Sequence, residues 1–248
     1  MIYAPNIIRY LQRRGCSRVS VKAALIDMDG TLYDSMPWHV AAWRHMSQKL
    51  GWKLKDEDIY LLEGMKGVAM VPLLEKRYTN RDLSEEEARE IYARKAEYFT
   101  SIAKIDVMPG AQQMLKTLKD FNIRRILVTG SAQRTLLDGL DRDFPGIFAE
   151  NDRVTAFGTK KGKPDPEPYL NALAHAGIRA DEAIVIENAP LGVESGHRSG
   201  TFTIAVATGP IPVQTLEEAG ADIVFPSMPE FAQALPTLLF DLKTVRLD

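Results

Sequence analysis

Ala23-Ala24-Leu25-Ile26-Asp27-Met28-Asp29-Gly30-Thr31 joins an apolar run to two carboxylates and a glycine. Four apolar residues in a row read as a strand buried on both faces. The run delivers Asp27 and Asp29 to its C-terminal end, Gly30 permits a tight turn, and Thr31 opens the exit. Carboxylates two residues apart on extended backbone point to opposite faces. A turn beginning at Met28 lets both converge beyond the strand's end, where open α/β sheets bind ligands. Paired there, carboxylates can hold a divalent cation, attack an electrophile or move a proton. The alternative is an Asp-Gly turn closing a hairpin.

Outward from this strand the pattern turns helical. Residues 38–50 carry apolar side chains near helical spacing and stop at Gly51. Further helices are predicted over 68–78 and 84–102, the latter opened by a Ser84/Glu87 capping box. From 107 onward the pattern alternates. Strands are predicted at 125–129, 153–157, 183–187, 203–207 and 223–225, and helices at 111–121, 134–140, 167–176, 191–199 and the terminus. Strands alternating with helices imply a parallel sheet covered on both faces. The expected architecture is α/β, a doubly wound parallel-sheet core with an inserted all-helical cap. The core spans 21–34 and 107–248, the cap 35–106, and residues 1–20 form an N-terminal extension.

Three further signals fall at strand ends or before a helix. Thr129-Gly130-Ser131 offers hydroxyls and free amides at a helix start, an oxyanion cradle or simply an N-cap. In Lys163-Pro164-Asp165-Pro166, followed by Tyr169, prolines stiffen a turn that presents one lysine. That ammonium suits a phosphoryl group or developing negative charge, unless it is merely solvated beside Lys160 and Lys161. Ile184-Val185-Ile186-Glu187-Asn188 is a second buried strand ending on hard oxygen donors, suited to Mg²⁺ or to a turn.

Composition narrows the class. The chain has 248 residues, 45% hydrophobic and 26% charged, with a net charge of −2. That balance is ordinary for a globular enzyme and gives no field for nucleic acid or an acidic membrane. Its one cysteine, Cys16, forbids an internal disulfide and fits a reducing, cytoplasmic setting. No apolar run approaches the roughly 20 residues that span a bilayer. Ile7, Ile8, Tyr10 and Leu11 interleave with Arg9, Arg13, Arg14 and Arg18, which reads as a surface-packed extension. A monomer is expected.

Together, Asp27-Met28-Asp29-Gly30-Thr31, Thr129-Gly130-Ser131, Lys163-Pro164 and Glu187-Asn188 closely resemble the four motifs of the haloacid dehalogenase superfamily. The inserted cap resembles the branch containing phosphoglycolate phosphatase and β-phosphoglucomutase. The resemblance implies a Rossmann-like core and a Mg²⁺-dependent phosphatase acting on a small phosphomonoester or pyrophosphate. Asp27 would form an aspartyl-phosphate, and Asp29 would serve as acid and base. Thr129, Gly130, Ser131 and Lys163 would bind the phosphoryl group, and Asp27, Asp29, Glu187 and Asn188 the metal. Isomerisation of a sugar phosphate is the alternative activity.

One departure concerns charge. Asn188 stands where the family usually has an aspartate, so the metal site loses a negative charge. Glu63, in the cap loop Leu61-Leu62-Glu63-Gly64-Met65-Lys66-Gly67, is the candidate to replace it and to favour a compact substrate such as pyrophosphate. Lys66 is the one base of that loop, and no arginine occurs between Arg44 and Arg77 to seat a second phosphate, which weakens the mutase alternative. His39 matches a cap histidine placed beside the nucleophile, as a proton shuttle or a half-buried cap residue.

Overall fold

The computed structural model describes residues 1–132 and 134–247. Six strands form one parallel sheet in the order β3-β2-β1-β4-β5-β6. They are β1 (Ala23–Ile26), β2 (Arg124–Val128), β3 (Arg153–Val154), β4 (Ala183–Glu187), β5 (Phe202–Val206) and β6 (Ile223–Phe225). β1, β4 and β5 are buried along their whole length, as their uninterrupted apolar sequences require. The order reverses at β1, so the crevice beyond its C-terminal end is the ligand position for such a sheet.

One face is covered by α1 (Ala4–Arg14), α6 (Ala111–Asp120), α7 (Arg134–Asp143) and α11 (Met228–Thr244). The other carries α8 (Glu167–Ala176), α9 (Pro190–Ser199) and the short α10 (Val213–Glu218). Between β1 and β2 run α2 (Met36–Leu50), α3 (Asp56–Leu61), α4 (Gly67–Thr79) and α5 (Glu85–Ile102). These four helices form the cap and enclose their own core around Trp43, Trp52, Val71 and Leu74. The capping box of α5 forms as read: the Ser84 amide donates to Glu87 Oε2 (2.8 Å) and the Glu87 amide to Ser84 Oγ (3.2 Å).

Two readings need correction, and two short helices were missed. The N-terminal stretch is a helix seated in the core, with Ile7, Tyr10 and Leu11 fully buried. Tyr10 donates to the Gly200 carbonyl (3.0 Å), and Arg13 grips Asp222 with two bonds (2.9 and 3.2 Å). Its arginines mark the outer face of an amphipathic helix, which the mixed sequence disguised. The strand expected at 153–157 keeps only two residues, because its partner β2 ends at Val128 and nothing remains to pair. α3 and α10, six residues each, were too short to show a period. Among the described residues no helix is long and apolar enough to cross a membrane.

Candidate active site

Sheet register builds the site. Ile26 pairs with Leu127 on one side and Ile186 on the other, so Asp27 and Glu187 leave the sheet side by side. Strand alternation turns both toward the face of Leu25 and Val185, where Tyr169 of α8 packs. Lys163, just upstream of α8, lies beneath them, only 1% exposed. Its ammonium donates to Asp27 Oδ1 (2.5 Å), Glu187 Oε1 (2.5 Å) and the Val128 carbonyl (3.1 Å). Glu187 also accepts from the Tyr169 hydroxyl (2.7 Å) and from the amides of Asn188 (3.0 Å) and Ala189 (3.3 Å). Glu187, expected among the metal ligands, is thereby corrected: an ammonium, a phenol and two amides occupy its oxygens, and it anchors Lys163.

One ammonium cannot fully serve two buried carboxylates. Glu187 has three other donors, so the shortfall falls on Asp27. Burial and the Glu187 charge push the Asp27 carboxyl up to about 8, against the pull of Lys163. Burial works against the Lys163 charge, but Asp27 and Glu187 outweigh it and raise its pKa above the ordinary lysine value.

Asp29 is held differently. Its Oδ1 accepts from Ser35 Oγ (2.5 Å) and from His39 Nε2 (3.1 Å). The other ring nitrogen, His39 Nδ1, faces Lys95 Nζ at 2.6 Å. A lysine donor on Nδ1 assigns the imidazole proton to Nε2, so the chain runs Lys95 to His39 to Asp29. Burial would raise Asp29, but His39, Ser35 and Lys95 outweigh it and hold the carboxyl below its usual value. Burial and then Lys95 depress the His39 pKa, and burial lowers Lys95 to about 7. His39 therefore contacts Asp29 and not Asp27, and stacks on Phe99 at 4.2 Å.

Lys95 and Ser35 escaped the sequence reading. The signal for Lys95 was present: Ala88, Ile91, Lys95 and Phe99 form the buried face of α5, and a lone lysine in an apolar stripe is out of place. Ser35 immediately precedes α2 and reads there as an ordinary cap.

Asp27, Asp29, His39, Glu63, Thr129, Gly130 and Ser131 line a single cavity of about 60 Å³ between cap and core. Thr129 Oγ1 accepts the Ser131 amide (2.9 Å), so the threonine caps this turn and keeps a hydroxyl proton to donate. Lys66, expected to bind substrate, is not among the lining residues. It donates instead to the carbonyls of Thr159 and Lys160 (3.4 Å for the latter), because the turn after Glu63 carries it to the outer side.

Glu63 enters the cavity from the cap, 7% exposed. Its Oε1 accepts from Asn188 Nδ2 (2.8 Å), and Asn188 Oδ1 accepts from Thr31 (3.2 Å). Burial, with the charges of Asp27, Glu187 and Asp29, raises Glu63 well above its usual value, and the Asn188 bond only partly opposes this. Among the described residues no three carboxylate, imidazole or thiol side chains already form a metal cage. Yet Asp27, Asp29, Glu63 and the Asn188 amide are hard oxygen donors carrying buried negative charge that Lys163 alone does not balance. Such a donor set fits Mg²⁺.

The chain is similar to several known proteins. The profile of the haloacid dehalogenase-like hydrolases matches residues 21–200. A Bacteroides vulgatus structure provisionally described as a beta-phosphoglucomutase superposes with a TM-score of 0.93 at 43% identity, over 98% of both chains. Hexitol phosphatase A of Escherichia coli is 30% identical over 84% of this chain and 91% of its own. Beta-phosphoglucomutase of Bacillus subtilis is 28% identical over 76% of this chain and 84% of its own.

Proposed function

Because the chain belongs to the haloacid dehalogenase-like hydrolase family, we propose that it hydrolyses a compact phosphate compound, with pyrophosphate favoured, through an aspartyl-phosphate on Asp27. Lys163 fixes one Asp27 oxygen and leaves the other to attack phosphorus. The hydroxyl of Thr129 and the amides of the turn after β2 receive the phosphoryl oxygens. Asp29, oriented by Ser35 and His39, passes to the leaving oxygen a proton received along the Lys95–His39 chain, and later takes one from water. Lys95 positions His39 from behind. Asp27, Asp29, Glu63 and Asn188 would hold Mg²⁺, which supplies the positive charge that keeps Asp27 ionised and offsets the phosphate charge.

The observation that carries the preference for a small substrate is the cavity with the Glu63 carboxylate inside it. At about 60 Å³, with a carboxylate projecting into it, the space suits a diphosphate better than a hexose phosphate. The test is phosphate release from pyrophosphate, hexose phosphates and phosphoglycolate, with and without Mg²⁺. Mg²⁺-dependent release that favours pyrophosphate and disappears in Asp27→Asn is expected. No release across the panel overturns the reading and leaves a phosphometabolite sensor.

The likeness to proteins named beta-phosphoglucomutase supports a second reading, isomerisation of a sugar phosphate. Against it, much of the cap wall of the cavity is apolar (Met36, Trp43, Ile59, Met65 and Met70), and its lysine, Lys95, is engaged with His39. Anomer-specific conversion of a hexose phosphate would decide for the mutase.

A further inference from the structure

Cap and core meet through glycines. Gly64, between α3 and α4, lies directly over the turn after β2. A Cβ on Gly130 would stand 2.3 Å from the Gly64 carbonyl oxygen and 3.1 Å from its carbon. On the next core loop, a Cβ on Gly162 would stand 2.8 Å from Lys66 Cγ and 3.1 Å from the Lys66 amide nitrogen. Gly64 has a left-handed backbone (φ 86°), but Gly130 and Gly162 do not. Their conformations are open to any residue, so the approach of the cap loop is what excludes a side chain.

Gly130 also borders two spaces. One is the catalytic cavity of about 60 Å³, and the other is an outer groove of about 740 Å³ running along α4 and α5. Gly67 and Tyr92 border both as well, and a Cβ on Gly67 would come 1.9 Å from the Tyr92 ring. The partition between the two spaces is therefore Gly64 resting on Gly130, flanked by Tyr92 resting on Gly67.

We propose that Gly130 and Gly162 determine substrate size, by letting the cap loop settle between the catalytic cavity and the outer groove. The proposal rests on the phosphohydrolase reading above. A compact phosphoanhydride reacts inside the catalytic cavity. An ester with a bulky leaving group, which has to extend into the groove, keeps the partition open and reacts poorly. Alanine at 130 forces the Gly64 carbonyl back by about 1 Å to reach ordinary contact, and the two spaces join.

The test compares kcat/KM for pyrophosphate and for p-nitrophenyl phosphate, with Mg²⁺, in the wild type, Gly130→Ala and Gly162→Ala. Far-UV circular dichroism and thermal melting confirm folding. In Gly130→Ala the ratio of ester to pyrophosphate activity is expected to rise about ten-fold or more, and less in Gly162→Ala, where a flexible lysine shares the contact. If Gly130→Ala does not fold, Gly162→Ala gives the reading alone. Folded variants whose ratio equals that of the wild type overturn the size filter while leaving the hydrolase reading intact. So does a wild type that already prefers the ester. No phosphate release from either compound by the wild type overturns the hydrolase reading and the filter with it.

Discussion

Replacing Lys163 by methionine keeps length and apolar volume while deleting the single ammonium shared by Asp27 and Glu187. Both carboxylates are almost fully buried, 4% and 1% exposed, so water cannot take over the lost bonds. Breaking a buried ion pair from one side costs about 3–5 kcal/mol. For a chain of this length that is a fall in melting temperature of about 6–20 °C. The cost also depends on pH. Without the ammonium, the folded-state pKa of Asp27 rises further above its unfolded value of roughly 3.9. Raised acids stabilise the fold below the unfolded pKa and lose that contribution as the pH climbs through the folded one. The gap between variant and wild type is therefore nearly constant from about pH 5 to pH 7 and widens from about pH 8 to pH 9, where the wild-type Asp27 ionises and the variant's stays protonated. Urea denaturation followed by circular dichroism, in EDTA and across that range, measures it. A penalty under about 1 kcal/mol at pH 7.5, the size of an exposed pair, or one that fails to grow above about pH 8, refutes the description of this network.

Three other changes probe the remaining parts of the site. Glu63→Gln removes the cap's charge while preserving its bond to Asn188, so the Mg²⁺ concentration for half-maximal activity is expected to rise by about ten-fold, read by titration of phosphate release. Lys95→Met should flatten a pH dependence of stability. The unfolded lysine keeps its proton to about pH 10.5 and the folded one releases it near 7, so the wild type gains stability between those values and the variant does not. Chemical denaturation at pH 7 and pH 9 reads the difference. Tyr169→Phe removes one donor from the buried Glu187 carboxylate and should cost about 1.5–3 kcal/mol, measured by the same unfolding assay.

The elements that were legible are those whose sequence carries its own period or punctuation. β4 and α8 fall where the pattern places them, because burial on both faces of the strand and a proline entry and glycine exit for the helix leave little choice. α1 was misread because half of its face belongs to a core that the rest of the chain supplies. The strand at 153 was overdrawn because strand length is set by the partner, and β2 ends early.

The site divides in the same way. Sequence by itself determined that Asp27, Asp29, Thr129, Lys163 and the Glu187-Asn188 pair sit at strand ends or helix starts, since each lies at the close of an apolar run or beside a turn signal. Tertiary structure decided which of them touch. Register put Asp27 beside Glu187 over one lysine, and so made Glu187 an anchor. Cap docking delivered Glu63 to Asn188 and aligned Lys95, His39 and Asp29. The physical reason is distance along the chain. Local patterns fix local conformation, but Asp27 and Lys163 are 136 residues apart and Glu63 and Asn188 125 apart. Charges that far apart acquire partners, and shifted pKa values, only when the sheet and the cap close around them.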